Sequence, residues 1–403
     1  MKKGSFLFIL LFLNAFLIAE ESVVDLRGYS SSNMMVYDVP AGYSLLGIDE
    51  QTYFDFSNLT RISLISTPIE QLTIETAYSV SPNVSDLNRT LFSFNSPSVD
   101  KYRLVDLPDN ISEYDNGGIG ENLDRLVFQI RLPFADMTLG RQAISFGTAR
   151  FFNPTDVFSP FSYQDLNKEE KAGVDAVRVQ IPAGKMSEID AGYVFGKYAD
   201  WKKSAAFLRG RFEIKGTEIA IIAMEYKTHL MAGFSVSSNI KGAGVWLEGA
   251  YTFAKLLEEY DHDQDFFRIS AGAEYYFTGD LYIFGEYHYS YAGTLKSRDY
   301  MLNSSMNATA YQDSGVYLLG EHYFAPGINW QVHPLVSLSL QILLNCSDPS
   351  AMIIPKISWS VEENIFLDLG ATINAGRRIS SKGLNSEFGS YPDSYYLSAR
   401  LYF

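Results

Sequence analysis

Cysteine is nearly absent from this sequence. The one thiol, Cys346, can form neither an internal disulfide nor a cysteine metal cluster, and it lies far from any lipidation point near the start. Long hydrophobic runs are missing too. Beyond residue 20 nothing approaches the roughly 20 apolar residues of a membrane helix. Basic charge is scarce: 32 Lys and Arg stand against 47 Asp and Glu, a net charge of −15, which argues against nucleic acid as a partner. The five histidines, His229, His262, His288, His322 and His333, include no pair at metal-ligand spacing. No Gly-x-Ser-x-Gly elbow and no phosphate-cradling glycine loop occurs. A chain without enzymatic activity, metal or cofactor is therefore expected.

Aromatic rings are abundant instead, with 27 Tyr, 28 Phe and 4 Trp making 15% of the chain. The single apolar run opens the sequence. Met1-Lys2-Lys3 leads into Phe6 to Ile18 and then Ala19, which reads as a secretory signal cut after residue 19. Residues 20–403 then form the working protein, with 30 basic against 47 acidic residues and a net charge of −17. An acidic surface suits extracellular loops that meet divalent cations and lipopolysaccharide.

From about residue 59 the chain repeats one device, a stretch of 9 to 13 residues alternating between apolar and polar, closed by a turn. Period 2 places one set of side chains on each face of a strand. In 335–345, Val336, Leu338, Leu340, Ile342 and Leu344 share one face, and Ser337, Ser339 and Gln341 the other. In 363–375, Ile365, Leu367, Leu369 and Ile373 oppose Asp368, Thr372 and Asn374. Connections alternate between tight turns and longer loops, chiefly 81–123, 145–172, 292–320 and 376–394. That is the layout of a transmembrane antiparallel β-barrel with short periplasmic turns, long extracellular loops and both termini in the periplasm. About 18 strands can be placed, with 16 as the alternative count, and either number leaves room for an aqueous lumen.

The last strand is the most specific signal. Phe403 is terminal, with Leu401, Ala399, Leu397 and Tyr395 on its face at every second position. Tyr395, Leu401 and Phe403 resemble the motif by which the barrel assembly machinery recognises outer-membrane proteins. The chain as a whole resembles the 16- to 18-stranded porins of Gram-negative outer membranes. A run from Gly140 to Gly147, followed by Asn153-Pro154-Thr155-Asp156, is similar to one in porin-like proteins of unassigned substrate. The resemblance implies a water-filled channel for small hydrophilic or charged solutes in the outer membrane, and homotrimers are common in that group. A scaffold barrel enclosing a periplasmic or surface partner is the alternative, and an outer-membrane hydrolase using His288 a more distant one.

With the apolar face outward, the expected pore-lining residues are Arg125, Arg131, Arg178, Arg209, Arg211 and Arg268 on the basic side and Glu225, Glu248, Glu274 and Glu286 on the acidic side. Arg400 falls on the same inward set. The two groups would face one another and set a transverse field, or pair with their neighbours as ordinary solvated charges. Segment 145–172 carries Arg150, Asp156, Asp165, Glu169 and Glu170 among aromatics Phe151, Phe152 and Phe158, and is the candidate constriction loop. Rings at that density would pack against the inner wall. Arg141 breaks the parity of its strand, since alternation after Met137 and Leu139 would aim it at lipid. A bulge at Gly140 that turns Arg141 inward is favoured over a position at the outer rim.

Overall fold

The computed structural model describes residues 23–39, 43, 51–86, 102–105, 110–114, 116–158, 160, 170–257, 263–380 and 383–403. The signal segment 1–19 and the loop residues Asp165 and Glu169 lie outside them. The strands are β1 Val23–Asp38, β2 Thr52–Ile69, β3 Leu72–Ser85, β4 Asn110–Tyr114, β5 Gly117–Arg131, β6 Asp136–Gln142, β7 Val174–Pro182, β8 Glu188–Val194, β9 Ala205–Ile214 and β10 Thr217–Tyr226. They continue as β11 His229–Ile240, β12 Ala243–Phe253, β13 Phe266–Thr278, β14 Leu281–Ser290, β15 His322–His333, β16 Val336–Asn345, β17 Ser350–Glu362, β18 Ile365–Ala375 and β19 Asp393–Tyr402.

Short β4 folds back on β5 alone. Among the described residues the other eighteen strands pair antiparallel, each with the next, and β19 returns to β1 with partners running from Tyr29↔Tyr402 to Asp38↔Asp393. Gly28 and Phe403 complete the seam, each N–H donating to the other's carbonyl at 2.7 and 2.9 Å. The sheet is a closed 18-stranded barrel, so the count of 16 falls away.

The two faces differ as period 2 demands. Leu369, Tyr395, Leu397, Leu401, Phe403, Ile221 and Trp359 stand exposed on the outside, while Asp368, Asn374, Ser394 and Ser398 are buried on the inside. Arg400 turns inward and meets Asp368 at 2.6 Å. An apolar outer belt over a polar inner wall is the surface of a barrel that crosses a bilayer. No helix among the described residues is long and apolar enough to cross one, so the crossing falls to the strands.

Two expectations change. The β1, β3 and β5 strands run past the boundaries read from alternation, to Asp38, to Ser85 and from Gly117, which shortens the loop expected at 81–123. Polar residues such as Ser30, Ser32, Asn58 and Thr60 bond to one another across β1 and β2, and where polar side chains break into the apolar face period-2 polarity carries no signal.

Arg141 does not turn inward through a bulge. Gly140 has φ +102°, yet the ladder passes through it without an inserted residue, pairing Leu126↔Arg141 and Arg141↔Asp175. Arg141 sits at the rim, one residue from the end of β6. Its guanidinium is buried there, on Asp175 at 2.7 Å and on the carbonyls of Leu123 and Val105 at 2.9 and 2.8 Å. A neutralised, fully bonded charge at the rim avoids the cost of an Arg in lipid. The glycine is needed because a Cβ would lie 2.1 Å from the Leu126 carbonyl oxygen. Gly140→Ala should cost about 1–3 kcal/mol, read as a lower temperature for conversion of the folded to the unfolded band on denaturing gels.

Candidate functional site

The described residues of segment 145–172, namely 145–158, 160 and 170–172, lie against the inner wall of the barrel, and their contacts show how they are held. A loop crossing a lumen carries backbone N–H groups that no strand satisfies. Two inward carboxylates supply the acceptors. Glu248 on β12 accepts from the amides of Thr148, Ala149 and Thr155 at 2.8, 3.0 and 2.9 Å and from the Thr155 hydroxyl at 2.8 Å. Glu286 on β14 accepts from the amides of Arg150 and Phe152 at 2.8 and 2.7 Å and from the Trp246 indole at 2.8 Å. Both carboxylates are 0% exposed, so they line no water and anchor the loop instead. Arg268, also buried, donates to the Pro154 carbonyl at 2.7 Å.

Rings complete the attachment. Phe146 and Phe158 pack with Tyr102, Phe207, Ile222, Met224 and Met231 into a buried cluster on the inner wall, the Phe146 and Phe207 centroids 5.0 Å apart. This cluster overturns the inward assignment of Glu225. Beneath the loop the inner face of β10 is apolar, with Ala220, Ile222, Met224 and Tyr226 buried. Glu225 therefore falls in the outward set with Ile221. Taking the apolar face as outward fails wherever a loop turns the lumen wall into a core.

The remaining predicted charges are paired close by rather than ranged wall against wall. Arg178 meets Asp190 at 2.7 Å, and Asp190 is the ladder partner of Arg209, whose guanidinium lies 5.7 Å from the Phe146 ring centroid. Arg211 lies 3.6 Å from both Glu188 and Glu218. Arg131 is exposed near the tight turn after β5. Arg125 meets Asp124 at 2.7 Å and Glu170 at 3.2 Å. Arg61 of β2, which the sequence reading did not single out, joins the same two acids at 3.3 and 3.4 Å. Asp156 pairs with Lys171 and accepts from Ser145 at 2.8 Å.

Arg150 differs from these. It reaches Glu274 with two bonds of 2.8 and 2.7 Å, packs over Trp246 and keeps its side chain 54% exposed. It lines a cavity of about 340 Å³ with Phe151, Phe152, Lys171, Arg268, Tyr282, Phe284, His288 and Tyr317. It also lines one of about 800 Å³ with Arg211, Glu218, Trp246 and Glu274, which reaches the tight-turn end at Met186 and Gly216.

His288 is buried, its Nδ1 2.8 Å from the Ser270 hydroxyl, which donates to the Phe152 carbonyl. The hydroxyl proton is thus committed to the loop and the imidazole donates to the oxygen. Ser270 is 0% exposed, which leaves no room for attack on a substrate.

A second long loop, 291–321, with its short helix Tyr300–Met306, docks at the end opposite the tight turns. Tyr300 donates to Asp348 at 2.7 Å. Glu387 accepts from the Leu319 amide at 3.0 Å, from Asn345 at 2.7 Å and from the Tyr323 hydroxyl, and its own amide donates to Asp348 at 2.9 Å. Burial and the nearby Asp348 push the Glu387 carboxyl up to about 7.

No protein-family model matches the sequence, and no curated protein matches it. Solved structures match the fold. OccAB4 of Acinetobacter baumannii superposes with a TM-score of 0.58 at 8% identity, covering 96% of this chain and 99% of that one. A BenF-like porin of Pseudomonas fluorescens Pf-5 gives 0.59 at 10%, covering 94% and 98%. OpdK of Pseudomonas aeruginosa, solved with vanillate, gives 0.53 at 10%, covering 95% and 99%. The chain thus has the 18-stranded barrel fold of the OprD and Occ outer-membrane channels.

Two outcomes follow for the loops. Replacing both Glu248 and Glu286 with Ala removes the acceptors of at least five amides, each costing about 1–3 kcal/mol if left unpaired. The loop should detach while the barrel stays closed, seen as new protease cleavage between residues 146 and 158 and a larger, noisier conductance. Burial on folding raises the Glu387 carboxyl from 4.5 to about 7, so the folded state binds the proton more tightly. Packing of the Glu387 loop against Asp348, Asn345 and Tyr323 is then strongest at acid pH, weakens as pH rises from 4.5 to about 7, and is constant above. Glu387→Gln should flatten this dependence in proteolysis of the loop measured against pH.

Proposed function

We propose that this chain is a channel of the Gram-negative outer membrane through which small hydrophilic solutes diffuse, with a preference for small carboxylates. The observation that carries the reading is the position of Arg150. It lines both lumen cavities, with one exposed cation between the space under loop 291–321 and the space opening toward the tight turns. The 340 Å³ cavity has Arg150, Lys171 and Arg268 on its wall and no Asp or Glu among its lining residues. A basic site of that size, walled by Phe151, Phe152, Phe284 and Tyr317, suits a compact anion carrying an apolar or aromatic body. Vanillate in OpdK is an anion of this kind, held by a protein of the same fold.

Against a scaffold role, the lumen is taken up by the chain's own loops, fastened through Glu248, Glu286 and the aromatic cluster. A partner segment would have to displace them.

Purified protein in a planar bilayer should give stepwise conductance, and in a salt gradient the reversal potential should report anion preference. Arg150→Gln should reduce that preference at least twofold and lower the block of chloride current by vanillate. A bilayer that stays sealed, or a barrel that purifies with a stoichiometric protein in its lumen, would overturn the reading.

A further inference from the structure

Outside the lumen, one surface segment carries charge of the wrong sign for this chain. Between β8 and β9, residues Lys197, Lys202 and Lys203 stand exposed within seven positions, on a protein of net charge −15. Within the segment Asp200 offsets them, 3.6 Å from Lys203. Two large rings share the segment, Tyr198 and Trp201, exposed to 78% and 55%. The Lys197 ammonium lies 5.6 Å from the Tyr198 ring centroid and that of Lys202 5.7 Å from the Trp201 centroid.

The segment is built rather than loose. It makes two 3-10 turns, 197–199 and 201–203. The Ser204 hydroxyl accepts from the Gly196 amide at 3.0 Å and donates to the Asp200 carbonyl at 2.8 Å, and the Asp200 carboxylate accepts from the Lys202 amide at 3.1 Å. Tyr198 and Ala199 are held at φ +60° and +56°, a region L-residues rarely adopt. The Tyr198 ring is exposed, so no burial within the chain offsets that strain. Strain held in place by surrounding bonds points to a site whose use lies elsewhere.

Its place on the barrel says where. It is at the end opposite the tight turns, directly above the lipid-facing Tyr193, whose ring meets Phe195 edge-on at 5.0 Å, and beside the exposed Leu208 of β9. Tyr and Trp concentrate at the level of the headgroups, and lysines just beyond them bind anionic headgroups as point charges.

We propose that segment 195–204 docks the phosphorylated headgroup of the outer-leaflet glycolipid. Lys197, Lys202 and Lys203 bind phosphate oxygens, and Tyr198 and Trp201 sit at the sugar and acyl boundary. The inference rests on the outer-membrane placement above and does not need the channel to conduct. The continuity of the lysines with the lipid-facing belt selects a membrane lipid over free phosphate.

The test compares the full-length barrel with its K197Q/K202Q/K203Q variant in phosphatidylcholine vesicles carrying either lipid A or lipid A stripped of its phosphates. The readout is lipid A retained per barrel after purification in detergent. Wild type should retain phosphorylated lipid A, and the triple variant should retain it on the order of tenfold or more less well. Both should hold the stripped lipid equally poorly, and excess inorganic phosphate should not displace lipid A from wild type. Equal retention by wild type and variant, equal retention of both lipids by wild type, or displacement by phosphate alone would overturn the proposal. Gel mobility before and after heating confirms folding. If the triple variant does not fold, K202Q alone makes the same comparison with a smaller loss. A sealed bilayer with retention intact would overturn the channel reading and leave this site standing; a wild-type barrel that fractionates outside the outer membrane would remove the placement on which both rest.

Discussion

Backbone amides in hydrocarbon have no water to bond, and this protein is organised around that obligation. It closes the sheet on itself: the β1 to β19 pairing, with Gly28 and Phe403 at its foot, gives each of the eighteen described barrel strands a neighbour on both sides. The same obligation reappears in the lumen in another form. There loop 145–172 cannot join a ladder, so Glu248 and Glu286 take the place of a neighbouring strand and accept its amides.

Once those carboxylates serve as anchors, the electrostatics of the interior follow. The acids of the β12 and β14 wall are covered by loop backbone, and the arginines of the opposite wall find acids on the same or adjacent strands, as Arg178 with Asp190 and Arg125 with Asp124. Little uncompensated charge remains inside. Arg150 stays accessible because it projects from the loop itself into the space between two cavities, supported by Glu274 and Trp246. Loop 291–321 closes the other side through buried polar groups around Asp348 and Glu387, where burial leaves a carboxyl that resists ionisation and makes its own packing sensitive to pH.

The errors of the sequence reading share one source. Alternation identifies β16 and β18 to within a residue or two, because one face of each meets lipid and the other water or polar side chains. It assigns Glu225 to the wrong face because β10 is apolar on both, lipid outside and the Phe146 cluster inside. It leaves Arg141 ambiguous because nothing local announces that Asp175 and the carbonyls of Leu123 and Val105 will meet it at the rim. Arg61 and Asp124 went unmarked for a related reason: nothing local announces that β2, β5 and the segment carrying Glu170 will bring them together around Arg125.

The amino-acid sequence by itself determined that this is a membrane barrel of about eighteen strands, on which side its long loops lie, and which segment carries enough rings and charges to enter the lumen. These properties depend on period-2 contrast between two solvents, which is written into neighbouring residues. The tertiary structure alone decided the role of each inward charge. A carboxylate such as Glu286 reads identically in sequence whether it faces water or caps three amides from a segment 134 to 136 residues away. Only the packing of that segment against the wall distinguishes the two.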